Sequence, residues 1–572
     1  MKFFIKKIYI ILFLLSTLLT EAKVLATENY SKYTKENISN YFSGMLSINQ
    51  SNDKETLKYL KKIKPLKEKH MRFNVEYLRT LILLDKFEDA FIFSRSLSNN
   101  NQTFFESDLL LGLDYFLKGD YKNAEIFFEQ LNKFSGNNIF FGDFIGNVLI
   151  AWSKALQDNK EDSFKFIEKI PKPYQHLKKI QNIFLQCYFS DPQTQKSFET
   201  LISNKNYNFS RYNFFLVNYL LSDNKTNQAK AVIKKGRSEY SSNILLKQAE
   251  VFLQKNENKK IIDFFNCKNP KDSLAEFFYI IANIYSSEKD HRLSNFYMKI
   301  SLFLNGKFKS NKALLAANYR TQKKNELSRN IYKSFKSIGS IYSWYAAIEI
   351  SKILSDIKGA EYAVNNLEKE FNLLKNKNFE HHYELANFYK NHEYYKESIE
   401  HYSIVLDQIG KDHFLVPKIL YRRGTSFEKI DDWKNAEKDL IASLEILPDQ
   451  PHVLNYLAYT WIDKGVNLDN GLEMLKKAAN LKEDDGYIID SLGWAYYSKK
   501  NYDKAEIFLR RAVELLPLDP IINEHYADNL WMLNKNIQAR YFWSYILKLK
   551  NIDEELKNSV NKKLIFGIDK KL

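Results

Sequence analysis

Small and apolar positions recur along this chain at a spacing of 34 residues. The clearest stretch is 486–519, where Leu492 and Gly493 fall seven and eight places in, Tyr496 at eleven, Ala505 at twenty, Ala512 at twenty-seven and Pro517 at thirty-two. The pattern predicts two helices joined by a turn. Gly493 lets the first helix approach its partner, Ala505 does the same from the second, and Tyr496 and Leu509 fill the space between them. Pro517 ends the second helix, because proline cannot continue the hydrogen-bond ladder.

The same register runs in tandem. Residues 417–450 carry Gly424, Ala436, Leu440 and Pro448 in the matching places. Residues 451–485 carry Leu457, Ala458, Gly471 and Ala478, with one extra residue in the turn around Gly465–Leu468, and 520–553 carry Ala527, Ala539 and Trp543. Near the amino end, 105–138 has Leu111, Gly112, Tyr115, Gly119, Tyr121, Ala124 and Phe128; 71–104 has Phe87 and Ala90, and 37–70 has Gly44 in phase. Between these blocks, helix-period apolar runs start near 144, 178, 210, 242, 275, 309, 341 and 379. This is the tetratricopeptide (TPR) pattern, a helix–turn–helix unit of 34 residues. The fold expected is all-α, a superhelical solenoid of about fifteen units, each leaning on its immediate neighbours. The unit carries small residues at fixed places rather than an uninterrupted heptad, which argues against a coiled coil. The organisation read from the chain is a targeting segment at 1–26, a polar leader at 27–36, amino-terminal units at 37–143, divergent units at 144–378, carboxy-terminal units at 379–553 and a capping helix at 554–572.

Composition narrows the function. With 17 Gly and 10 Pro in 572 residues, the composition disfavours a glycine-rich nucleotide-binding fold or a turn-dense β-sandwich. Residues 1–7 carry Lys2, Lys6 and Lys7, the apolar run Ile8–Leu19 follows, and Val24-Leu25-Ala26 ends the segment. A basic start, a short apolar stretch and small residues at the last and third-last places describe a secretory signal peptide cut after Ala26. Twelve residues fall short of the ~20 a membrane-spanning helix needs, although retention as an anchor is the competing reading. The expected location is therefore periplasmic and soluble after cleavage. Removing four Lys and one Glu lowers the net charge from +16 to +13. The basic residues are nearly all Lys, without arginine-rich stripes, which disfavours nucleic acid and allows at most weak, salt-sensitive contact with an anionic membrane.

The carboxy-terminal third carries a further resemblance. The phrases Asn455-Tyr456-Leu457-Ala458-Tyr459, Asp463-Lys464-Gly465-Val466-Asn467-Leu468-Asp469 and Ile489-Asp490-Ser491-Leu492-Gly493-Trp494-Ala495-Tyr496-Tyr497 resemble a family of exported proteobacterial TPR proteins. So does Asp519-Pro520-Ile521-Ile522-Asn523-Glu524-His525, with Ala539-Arg540-Tyr541-Phe542-Trp543 after it. One type in that family is a lipoprotein adaptor of a carboxyl-terminal processing protease. The resemblance implies a periplasmic scaffold or adaptor with a protein or peptide partner, such a protease included. The chain departs from that type in having no Cys near the cut to bear a lipid.

First helices of stacked pairs line the inner face of a solenoid, and places two, five, nine and twelve of each unit point there. In the last four units this selects Tyr421, Asn455, Tyr459, Tyr487, Asp490, Trp494, Tyr497, Glu524, Asp528 and Trp531 as a partner-binding groove. Aromatic rings supply contact area at low entropic cost, and carboxylates select a basic or amino-terminal segment. The alternative for some of these rings is packing between neighbouring units. The Lys/Asn pattern that clamps a free carboxylate in some TPR domains is not reproduced.

No catalytic or cofactor motif appears. His381, His382, His392, His401 and His413 cluster, but no pair has the spacing of three or four that two metal ligands on one helix face need. Ser491 lies inside a repeat helix without a nucleophile elbow, so pairing it with His525 as nucleophile and base is disfavoured. Cys187 and Cys267 fall in units separated by a whole unit, and helices stacked ~8–10 Å apart place them beyond the ~7 Å reach of a disulfide. Two unpaired thiols are expected. The function expected is a non-catalytic scaffold or adaptor that presents substrates to a processing protease, or alternatively organises envelope or outer-membrane assembly machinery. An enzyme is the least favoured reading. No cofactor or metal is expected.

Overall fold

A computed structural model describes residues 34–63, 70–134, 142–239, 242–550 and 552–568. The targeting segment and residues 27–33 of the polar leader lie outside the described residues. Among those described there are 31 α-helices and no strand. They form fourteen hairpins, nine from the pair Lys35–Asn49 and Asp53–Leu60 to the pair Lys312–Thr321 and Asn325–Ser334 and five from the pair Phe379–Asn391 and Tyr395–Gln408 to the pair Pro520–Met532 and Asn536–Ile546; the helices Ser340–Lys358 and Ala360–Asn372 fall between the two series, and the single helix Glu554–Phe566 follows the last. The divergent middle keeps the repeat. Its first helices begin at Gly142, Gln175, Tyr212, Ile244, Pro270, Lys312 and Ser340.

The turn inside each hairpin has a common backbone device. Two or three residues past the first helix the chain enters the left-handed region, for example at Asp85, Asp158, Asn224, Lys289, Lys323, Asp431, Lys500 and Asn534. The next amide then reaches back five residues to a helix carbonyl, as Lys86 does to Leu81, Asn501 to Tyr496 and Lys535 to Leu530. This satisfies carbonyls that the helix end would leave unbonded and turns the chain sharply into the second helix. Small residues set the distance between the two helices. A Cβ at Gly493 would lie 2.6 Å from Leu509, and one at Gly112 would lie 2.2 Å from the Phe128 ring.

The chain divides into two compact units, one ending at Ile357 and one beginning at Lys358. Within the first, helices such as Phe105–Leu117 and Tyr212–Ser222 are buried nearly all round. The expectation that every repeat leans only on its neighbours fails here. Asp53 of the first repeat pairs with Arg292 of the eighth at 2.6 Å and with Lys324 of the ninth at 2.9 Å. Asp85 pairs with Lys299 at 2.6 Å, and the rings of Phe87 and Phe303 stack 4.0 Å apart. Arg211 forks onto Glu276 with two bonds of 2.7 Å and reaches Asn311 at 2.8 Å. The repeats of this unit wind back onto themselves, and their inner side chains meet one another.

That winding overturns the expectation for the cysteines. Cys187 and Cys267 form a disulfide, with Cα atoms 5.9 Å apart across 80 residues of sequence. The helix-stacking estimate assumed that both sit on regular helices. Cys187 does, in Gln175–Tyr188, but the second helix of the seventh repeat is only the five residues Asn258–Ile262, and Cys267 lies in the loop after it. Phe265 in that loop lies 5.2 Å from Phe184 and 4.6 Å from Phe215, which seats the loop against the inner helices.

Candidate functional site

In the second unit the first helices Pro451–Asp463, Gly486–Ser498 and Pro520–Met532 pack side by side and form an inner wall. Asp485 and Asp519 cap the latter two by accepting from the amides two and three residues on, which fixes where each helix starts.

At the centre of the wall three rings stack. Trp494 lies 4.5 Å from Tyr497 on its own helix and 4.0 Å from His525 on the next, all nearly parallel. Asp490 bonds Nδ1 of His525 at 2.9 Å. Burial pushes the imidazole down, but Asp490, Asp528 and Glu524 outweigh it, so His525 is raised above the ordinary histidine value. Tyr459, half-buried beside Asp490, is pushed up to about 12 by burial and by the carboxylates of Asp490, Asp463 and Glu524. Trp494, Tyr497 and Tyr459 keep part of their surface exposed. The second oxygen of Asp490 and the side-chain oxygen of Asn455 are buried without a hydrogen-bond partner.

The last repeat is different. Glu524 and Asp528 both accept from Lys563 of the helix Glu554–Phe566, at 2.7 and 2.6 Å, and Asp528 also accepts from Trp543 at 2.9 Å. Trp531 is buried and donates to the carbonyl of Ile568 at 2.9 Å. These three groove residues are therefore taken by the chain's own end. Tyr421 meets Tyr456 edge-on at 6.2 Å, while Tyr487 stands apart, exposed, with its hydroxyl on Asp519. Sequence reasoning did not find His525 as a stacking partner, because it is contributed by a neighbouring repeat, nor Lys563, which lies outside the repeat register.

The other end of this unit's wall is basic. Lys390 donates to Thr425 at 2.5 Å and Arg422 to Asn387 at 2.9 Å. Burial, with Arg422 and Lys429 nearby, pushes Lys390 down to about 8. Elsewhere, His382 and His401 come together with their Nδ1 atoms 2.9 Å apart, each from a different helix, which spacing along one helix could not reveal. Burial lowers both, His401 to about 4. Among the described residues no three His, Cys, Asp or Glu side chains gather as metal ligands would. Ser491 bonds the carbonyl of Tyr487 at 2.9 Å, and His525 is engaged by Asp490.

Helical hairpins repeated in tandem and stacked through small residues define an all-α repeat solenoid. A tetratricopeptide-repeat family profile matches residues 489–517, so this stretch carries the repeat that defines the tetratricopeptide-repeat superfamily. A TPR repeat-containing protein of Pseudomonas aeruginosa is 36% identical over 99 residues, which is 17% of this chain and 17% of that protein. A thermophilic TPR protein from Thermus thermophilus is similar with a TM-score of 0.29 and 17% identity, over 33% of this chain and all of that one. A tetratricopeptide repeat protein from Parabacteroides merdae gives 0.33 and 18%, over 39% of this chain and 88% of that one. Proteins of this superfamily act as interaction scaffolds and bind protein or peptide partners.

Proposed function

We propose that this protein is an exported, non-catalytic scaffold that holds a partner polypeptide along the inner wall of its second unit and presents it to a processing protease. The observation that carries the reading is the stack of Tyr497, Trp494 and His525, anchored on Asp490 and flanked by the half-buried Tyr459. It offers rigid aromatic surface with polar edges, the composition that dominates binding energy at interfaces. The inner helices Phe105–Leu117 and Tyr212–Ser222 of the first unit are packed nearly all round, so the second unit offers the larger open wall. The basic segment at 1–7 followed by an apolar run supports export, and so does the disulfide, which persists in oxidising compartments. The protease as recipient rests on the resemblance of the carboxy-terminal third to exported adaptors.

The test is Trp494→Ala combined with Tyr459→Ala, followed by affinity purification from the periplasm with mass spectrometry. Trp531, which seats the chain's own end, is left unchanged. Capture of the partner is expected to fall at least about tenfold, the loss of a hot-spot pair, while the circular dichroism spectrum stays that of a helical array. Unchanged capture with intact helices would sink the assignment of the wall. Co-elution of envelope-assembly proteins in place of a protease and its substrates would replace the adaptor role with an assembly role.

A further inference from the structure

The last repeat already holds a polypeptide segment. Lys563 lies on Glu524 and Asp528, and Ser559 donates to Glu524 at 3.1 Å. Five residues on, the carbonyl of Ile568 accepts from the Trp531 indole at 2.9 Å. Between them, Gly567 has φ of +70°, and a Cβ there would lie 1.9 Å from the indole. Only glycine lies flat on that ring. Arg540 covers Trp531 at 4.9 Å and donates to the carbonyl of Leu564 at 3.3 Å. Burial pushes the Lys563 ammonium down, Asp528 and Glu524 more than reverse it, and the group stays charged.

These contacts use the fifth, ninth and twelfth places of the repeat, the same places that carry Asp490, Trp494 and Tyr497 one repeat earlier. The apolar anchorage is thin by comparison. The helix Glu554–Phe566 buries Leu556 and Val560 fully and packs Leu564 partly against the core, and leaves Ile565 69% and Phe566 81% exposed.

We propose that the end of the wall is a peptide-binding site occupied in cis, and that a partner carrying a lysine followed four residues later by glycine enters by displacing this built-in ligand. The inference rests on the scaffold reading and names its partner class. Glu524 and Asp528 take the ammonium, the face of Trp531 demands glycine, and its N–H takes the carbonyl one residue further on. The preceding stack of Trp494 and Tyr497 is continuous with this site.

The probe is a labelled synthetic peptide of residues 552–568, read by fluorescence anisotropy against the full-length protein. Gly567→Ala places a methyl against Trp531 and unseats the cis segment, while Lys563→Glu repels it from the two carboxylates. Either variant protein is expected to bind the peptide about tenfold tighter than wild type, because the competing segment no longer blocks the site. Peptides carrying Lys563→Ala or Gly567→Ala lose that gain, and so does Glu524→Gln with Asp528→Asn in the Gly567→Ala protein. The proposal is overturned if both variants bind no tighter than wild type, if altered peptides bind equally well, or if releasing the segment melts the second unit. No exported partner takes part in this assay. Its failure therefore leaves the scaffold reading standing, and an empty periplasmic capture beside successful peptide binding would sink that reading alone.

Discussion

His525 is held where its charge matters. Its ring is sandwiched against Trp494 and bonded to Asp490, and its proton affinity is raised in the fold. A histidine raised above ~6.5 contributes stability that is fully present below that pH and is lost as pH rises through the higher folded value. The second unit should therefore melt at a lower temperature at pH 8.5 than at pH 6, and His525→Gln should remove most of that difference. Proton NMR of the imidazole should place its midpoint above ~6.5; a midpoint below it would contradict the pairing with Asp490. The aromatic places of this wall were legible, since Trp494 and Tyr497 follow from counting along one repeat. The ring that completes the stack was not, because position within a repeat says nothing about which neighbour's side chain slides over it.

Among the helices, the repeat is specified twice over. Small residues set the separation of the two helices, and a left-handed residue two or three places past the first helix sets the turn. Only the first of these shows clearly in the sequence. The turn residue is Asp, Asn, Ser, Lys or Glu far more often than Gly, which explains how the divergent middle keeps its hairpins without the glycine signal. Gly112→Val tests the separation. The branched side chain meets the Phe128 ring, and overpacking of this kind costs ~1–3 kcal/mol, readable as a lowered urea midpoint with unchanged helical content. The short helix Asn258–Ile262 escaped the reading because a 34-residue period fixes where a hairpin starts and leaves open how far its second arm runs. That shortened arm is what lets Cys267 reach Cys187.

For the molecule as a whole, the two units obey different rules. The second is a linear array in which repeats stack in order. The first is closed by ion pairs and ring contacts between its early and late repeats, and is stapled by the Cys187–Cys267 bridge. Cross-linking across 80 residues removes freedom from the unfolded chain worth roughly 4 kcal/mol. Reduction, or Cys187→Ser with Cys267→Ser, should lower the calorimetric transition of the first unit and leave that of the second in place. A single transition that shifts as one would show that the units do not melt separately. The solenoid class was readable because local periodicity dictates it. The closure was not, because it depends on how small rotations accumulate over eight repeats, a quantity that no single 34-residue window contains.

Asp53 answers to Arg292 and Lys324 at once, so the number of hairpins lying between them is fixed. Repeat arrays ordinarily grow or shrink by duplicating or deleting a copy. In the first unit a gained or lost copy would carry the acid one storey away from its cations and pull the sulfur bridge apart, leaving the second unit as the stretch of this chain free to change its reach.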